Sequence, residues 1–159
     1  MNKQLLKDAL LRSLDEEINA ALAAAGEAHA TASHGENKPE NQYDTLALEA
    51  AYLAHGQSER ILQLQQTRIN LSRWVAPDFS EYDSVRMGAC VVLLSENDEE
   101  RSIFIAPVGG RELEFEGEKI LVVNQEAPVT RRLCGLQIGD DVALTLGGCS
   151  SLWELLAIH

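Results

Sequence analysis

Apolar positions in the first half of the chain recur at steps of three and four. Leu6, Leu10, Leu14, Ile18, Ala21, Leu22 and Ala25 draw one stripe, with Asp15, Glu16 and Glu17 on the other side, the pattern of an amphipathic helix. No proline, and no glycine before Gly26, interrupts the run from residue 3 to about residue 28, so the spacing predicts a helix there. The stretch HATASHGENKP breaks the pattern with Gly35, Pro39 and small polar residues. A second stripe begins at Leu46 and continues through Ala50, Leu53, Ile61, Leu64 and Leu71, with Gln57 where an apolar residue is expected. Two helices of about 25 residues joined by a short polar loop predict an antiparallel hairpin, a coiled-coil arm. At 1.5 Å per residue each helix would run about 37 Å. Nothing in the pattern supplies a third layer, so both outer faces of the arm stay wet.

The loop end of the arm carries the candidate chemistry. Asn37-Lys38-Pro39-Glu40 is a loose capping box, with Asn in place of Ser or Thr and Pro39 in the first turn. On that reading Glu40 closes a helix and Asp44, one turn on, is a solvated partner of the helix dipole. A second use stays open. Glu36, Glu40 and Asp44 recur at steps of four around the loop and first turn. At the end of an arm that reaches away from its own domain, they can meet only another molecule's site. Clustered carboxylates are the ligands a hard cation such as Mg²⁺ takes, with water completing the shell.

The second half changes character. Ala, Leu and Gln dominate before Trp74, Val, Gly and Ile rise after it, and Pro77 cannot continue a helix. A boundary falls near 73–80, dividing an arm of 1–74 from a domain of 80–159. β-prone runs occupy 86–94, 101–106, 120–123, 141–145 and 152–159, with Gly109-Gly110 and Gly147-Gly148 as turns. APVTRRL, 127–133, reads as a short helix with Pro128 in its first turn and Gly135 as its stop. The fold class is therefore α+β, a mostly antiparallel sheet with one helix across a face, preceded by the hairpin. The run RELEFEGEKI sets Glu112, Glu114, Glu116 and Glu118 at period two, on one strand face: a wet surface or an acidic strip for a basic partner. Asp98, Glu99 and Glu100 read as a solvated turn, and His159 as a frayed end.

Charge narrows the partners. The 159 residues carry a net −12, of which −3 falls in 1–74 and −9 in 75–159. Such a surface does not hold DNA or RNA by itself, because that needs a cationic field. It fits a basic protein partner or carboxylates used on metal ions. No apolar run reaches the length of a membrane span, and MNKQLLKDALLRSLDEE meets charge too soon for a signal peptide, which predicts a cytoplasmic address. Cys90, Cys134 and Cys149 lack metal-ligand spacing and are read as reduced, mostly buried thiols. In the second half there is no nucleophile elbow and no Gly-rich phosphate loop after a strand, so it offers no convincing catalytic set. A prolyl isomerase would need an aromatic-lined pocket, for which 84–159 offer only Phe104, Phe115 and Trp153. A structural coiled-coil adapter, dimeric through the arm, is a further alternative.

Several segments resemble the bacterial Gre-type transcript-cleavage factors. VRMGACVVL resembles the opening strand of that family's C-terminal domain. ILVVNQEAPVTRRLCGLQIGDDVAL resembles its strand, proline-led helix, Leu-x-Gly, Gly-Asp and closing strand, and LWELLAIH its last strand. HGENKPENQYDT, Gly56 and Arg60-Ile61 resemble its tip and second helix more loosely. The resemblance implies a C-terminal domain like the FK506-binding proteins, docked on RNA polymerase near the secondary channel. It implies a hairpin that enters the channel and brings tip carboxylates to the polymerase's catalytic Mg²⁺, near the RNA 3′ end of a backtracked complex. Any hydrolysis then occurs in the polymerase active site, with no tightly bound cofactor of this chain's own. Glu36 takes the place of the first tip acid, Glu40 with Asn41 that of the second, Asp44 is a weaker third, and Tyr43 matches the tyrosine that follows. The family has two residues between its acids and Asp as the first; here three residues intervene and the first acid is Glu. The alternative implied by this departure is a channel-binding regulator or inhibitor without cleavage activity.

Overall fold

The computed structural model describes residues 2–33 and 45–159, with side chains described for 2–27 and 52–159. Two long helices come first, α1 (Lys3–Ser33) and α2 (Thr45–Arg73). Then follow β1 (Cys90–Ser95), β2 (Glu100–Ile105), β3 (Arg111–Phe115), β4 (Glu118–Val123), α3 (Pro128–Leu133), β5 (Asp141–Leu146) and β6 (Cys149–Ile158). The α+β class and the order of elements agree with the sequence reading. The helix α1 runs past the expected end near residue 28, because Ala28, Ala30 and Ala32 favour helix and outweigh the low propensity of Gly26. Its start is capped by Asn2, whose Oδ1 accepts from the backbone N–H of Gln4 at 3.1 Å and of Leu5 at 3.2 Å. The expected capping box of Asn37 and Glu40 lies outside the described residues.

The six strands form one sheet in the order β3-β4-β2-β1-β6-β5. All neighbours are antiparallel except β2 and β4. Two tight hairpins turn at positive φ, each with a glycine that takes it without strain. Glu116 and Gly117, at φ 55° and 85°, join β3 to β4, and Gly147 and Gly148, at 59° and 85°, join β5 to β6, the sense of turn that matches strand twist. Gly109 has a different task. Between β2 and β3 the chain passes the end of β4 so closely that a Cβ there would lie 2.3 Å from the Asn124 backbone nitrogen. The strand β1 begins later than the run 86–94 suggests. Gly88 takes φ 93° and the Ala89 N–H bonds to the Arg86 carbonyl at 3.0 Å, closing a turn first.

Both sheet faces are buried. On one, Val91, Leu93, Ile103, Ile105, Trp153 and Leu155 form the core with Leu133 of α3, and Ala127 and Val129 pack against it. The helix α3 starts at Pro128 and turns away after Cys134, where Gly135 at φ 90° donates to the Val85 carbonyl at 2.9 Å. On the other face Cys90, Phe104, Ile120 and Val122 are buried in register. Phe104 meets the ring of Trp74 at 6.1 Å between centroids.

The chain divides into two compact units, Met1–Leu10 with Arg73–His159, and Leu11–Ser72. In the second unit Leu14, Ile18, Ile61, Leu64 and Leu71 are buried, the part of the two stripes nearest the start of α1 and the end of α2. Two ion pairs join the helices: Arg60 to Glu17 at 2.6 Å, and Arg68, which holds both carboxylate oxygens of Asp15.

Phe104→Ala removes a fully buried ring and should destabilise the fold by about 3–5 kcal/mol, read by chemical denaturation. The hydrogen bonds from Arg68 hold the Asp15 carboxyl below its ordinary range. A depressed folded-state pKa adds stability above the unfolded value and loses it as pH falls through the folded one. Wild type should therefore outlast Arg68→Ala in urea at neutral pH. The gap should close below the ordinary Asp range of about 3.9; a gap that persists in acid would show that the pair does not act through charge.

Candidate functional site

Glu36, Glu40 and Asp44, the three acids singled out in the sequence, lie outside the described residues. The described parts of α1 and α2 show what leads toward them. The stripe is packed tightly as far as Ile18 and Ile61, and then thins. Ala21 and Ala24 on α1 and Gly56 on α2 replace bulky side chains, and Gln57 occupies the seam half-buried. Tyr52 and Leu53 are each 69% exposed, and Leu22 is also exposed. Ala21, Ala24, Tyr52, Leu53, Gly56, Gln57 and Arg60 line an open, largely apolar cleft of about 370 Å³. The expected apolar stripe is present in the sequence, but its second half does not close over itself.

Among the described residues no group of three or more His, Cys, Asp or Glu side chains is placed to hold a metal ion. The acidic strip expected along 112–118 divides in two. Glu112 and Glu114 share a face of β3 with Lys119, which pairs with Glu114 in register and lies 3.3 Å from Glu112. Glu116 sits in the hairpin turn, and Glu118 pairs with Phe115, on the opposite face from Glu114. The hairpin turn interrupts the period of two, so four acids on one strand face were never available.

The thiols also differ from expectation. Cys90 is fully buried, and burial pushes its pKa up to about 12, which makes it a poor nucleophile. Cys134, just beyond α3, and Cys149, at the hairpin end of β6, are exposed. His159 is not frayed: its N–H bonds to the Cys90 carbonyl at 2.8 Å and its own carbonyl accepts from Cys90 at 3.0 Å. Burial holds its imidazole below the usual histidine range.

Sequence reasoning missed Lys3 and Lys7, one helical turn apart at the start of α1. Lys3 donates to the carbonyl of Pro77, and Lys7 to that of Trp74 at 2.5 Å. The available signal was their spacing of four beside a stripe that should have been flanked by polar residues free in solvent. Nothing in it named carbonyl groups some seventy residues away as the acceptors. No described helix is long and apolar enough to cross a membrane.

No family model matches the chain. It is 28% identical over 156 residues to the transcription elongation factor GreA of Mesorhizobium japonicum, covering 97% of this chain and 90% of that one. Among solved structures, it is similar to GreA factor homolog 1 of Thermus thermophilus at 17% identity and a TM-score of 0.41, over 94% of each chain. It is also similar to the GreA/GreB factor of Nitrosomonas europaea at 22% identity and a TM-score of 0.36, over 60% of this chain and 78% of that one. The segments quoted above and the identity to GreA along nearly the whole of both chains agree: the chain is similar to the Gre-type transcription elongation factors from end to end.

Proposed function

We propose that this protein is an accessory factor of bacterial RNA polymerase that reaches the secondary channel with its helical arm and stimulates cleavage of backtracked RNA, rescuing stalled elongation. The observation that carries this reading is the similarity to GreA over 97% of the chain, arm and sheet alike. The helices support it. Between the end of α1 at Ser33 and the start of α2 at Thr45 lie eleven residues, and Glu36, Glu40 and Asp44 are among them. A helix of 31 residues at 1.5 Å each spans about 46 Å, the length an arm of this kind needs. Glu36 and Glu40 are the tip acids acting in trans, with Asp44 contributing less. The polymerase supplies the Mg²⁺ and performs the hydrolysis; the chain supplies oxygen ligands suited to a hard cation and a means of presenting them. The RNA 3′ end is approached only within that complex, consistent with a surface of net charge −12 that repels nucleic acid by itself.

The spacing of the acids favours a second reading. Three residues separate Glu36 from Glu40, one of them Pro39, where the family pattern has two. Displacing a reacting group by about 1 Å can cost a hundredfold in rate. A factor altered in this way would still dock and occupy the channel, acting as a regulator that does not cleave.

Backtracked elongation complexes with labelled RNA separate the two. On the first reading the wild-type protein shortens the RNA, and Glu36→Ala/Glu40→Ala loses on the order of a hundredfold in rate while still competing with a known channel-binding factor. Competition without shortening by wild type selects the second reading. Neither shortening nor competition would overturn both.

A further inference from the structure

The segment after α2 is held to the sheet in an unusual way. From Trp74 to Ala89 there is no helix or strand. Among the described residues, no turn or loop hydrogen bond between backbone groups ties 74–79 down. Its fastenings are side chains. Trp74 lies on Phe104, and Pro77 lies against Gly88, where a Cβ would come within 2.3 Å of the proline ring. The carbonyls of Trp74 and Pro77 accept from the ammonium groups of Lys7 and Lys3. The Lys3 ammonium also stands 4.4 Å from the centre of the Phe79 ring, with the Arg86 guanidinium 4.6 Å from the same ring. Lys7 is only 7% exposed, so its ammonium group has little access to solvent. The acceptors lie just past the end of α2, where the helix dipole adds to the pull on a cation.

Beneath these groups lies the Cys90–Phe104 pair, in register on β1 and β2 and fully buried. We propose that the first turns of α1 and residues 74–79 form a strap over the Cys90–Phe104 face, fastened by the Lys3 and Lys7 ammonium groups, which opens as a local unit while the sheet stays folded. The remaining edges of that face are held by full backbone ladders: β1 to β2 and β6, and β2 to β4. Those ladders do not depend on the strap. Because both fasteners are ammonium groups, neutralising them opens it. The proposal does not depend on how the protein acts on polymerase.

Cys90 makes the opening measurable. In a Cys134→Ser/Cys149→Ser background it is the sole thiol. Closed, it is shielded; open, it can be alkylated. In the otherwise wild-type protein, the rate of iodoacetamide alkylation at Cys90 should change little with urea well below the global transition followed by circular dichroism. Lys3→Met/Lys7→Met keeps the stem length and removes the charges. It should speed alkylation at least about tenfold, the weight of a hydrogen bond to a charged group, beyond any factor explained by its loss of global stability. A wild-type rate that tracks global unfolding at every urea concentration would overturn the strap, as would a double variant accelerated only in step with its lost stability. If the double variant does not fold, the urea dependence of the wild-type rate decides alone.

Discussion

The central strand β1 has no polar face. Cys90 points one way and Val91 and Leu93 the other, all fully buried, and β2 beside it repeats the pattern with Phe104 against Ile103 and Ile105. A sheet buried on both sides needs two covers, and one six-residue helix can supply only one. The second is drawn from the far end of the chain. The foot of α1 and the segment after α2 close over Cys90 and Phe104, which is why the first ten residues belong to the same compact unit as the sheet.

That constraint also explains the two lysines. A segment laid across a buried face carries carbonyl groups that need partners away from water. Trp74 and Pro77 have none in a ladder, and the ammonium groups of Lys3 and Lys7 take that place. The arm itself is governed by a weaker rule. Its leucine and isoleucine seam holds up to Ile18 and Ile61, and its ion pairs are exposed and of small energetic weight. Beyond them, alanine and glycine leave an open cleft bordered by exposed Tyr52 and Leu53. Packing density therefore falls along the described part of the arm, from Ile18 and Ile61 to Ala24 and Tyr52.

The sheet contributes no chemistry of its own that the described residues show. Its one deeply buried thiol is driven to a high pKa, and two of its acids, Glu112 and Glu99, are paired with Lys119 and Arg101.

Much of this was legible in the residues. The stripe from Leu6 to Ile18 named α1, Pro128 and Gly135 bracketed α3, and Gly147-Gly148 closed a hairpin, because each rests on local geometry that neighbours in sequence impose. Glu36, Glu40 and Asp44, singled out from spacing and resemblance, lie outside the described residues. What failed did so where a local period met a non-local event: the hairpin at Glu116-Gly117 divided the row of four acids, and His159 was held by a strand from the other end of the sheet. The sequence alone determined which segments are helix and strand and that the surface is acidic. Only the tertiary structure decided that β2 and β4 run parallel, that Cys90 alone of three thiols is buried, and that Lys3 and Lys7 hold carbonyls some seventy residues away. Those outcomes depend on which surfaces meet, and periodicity carries no record of that.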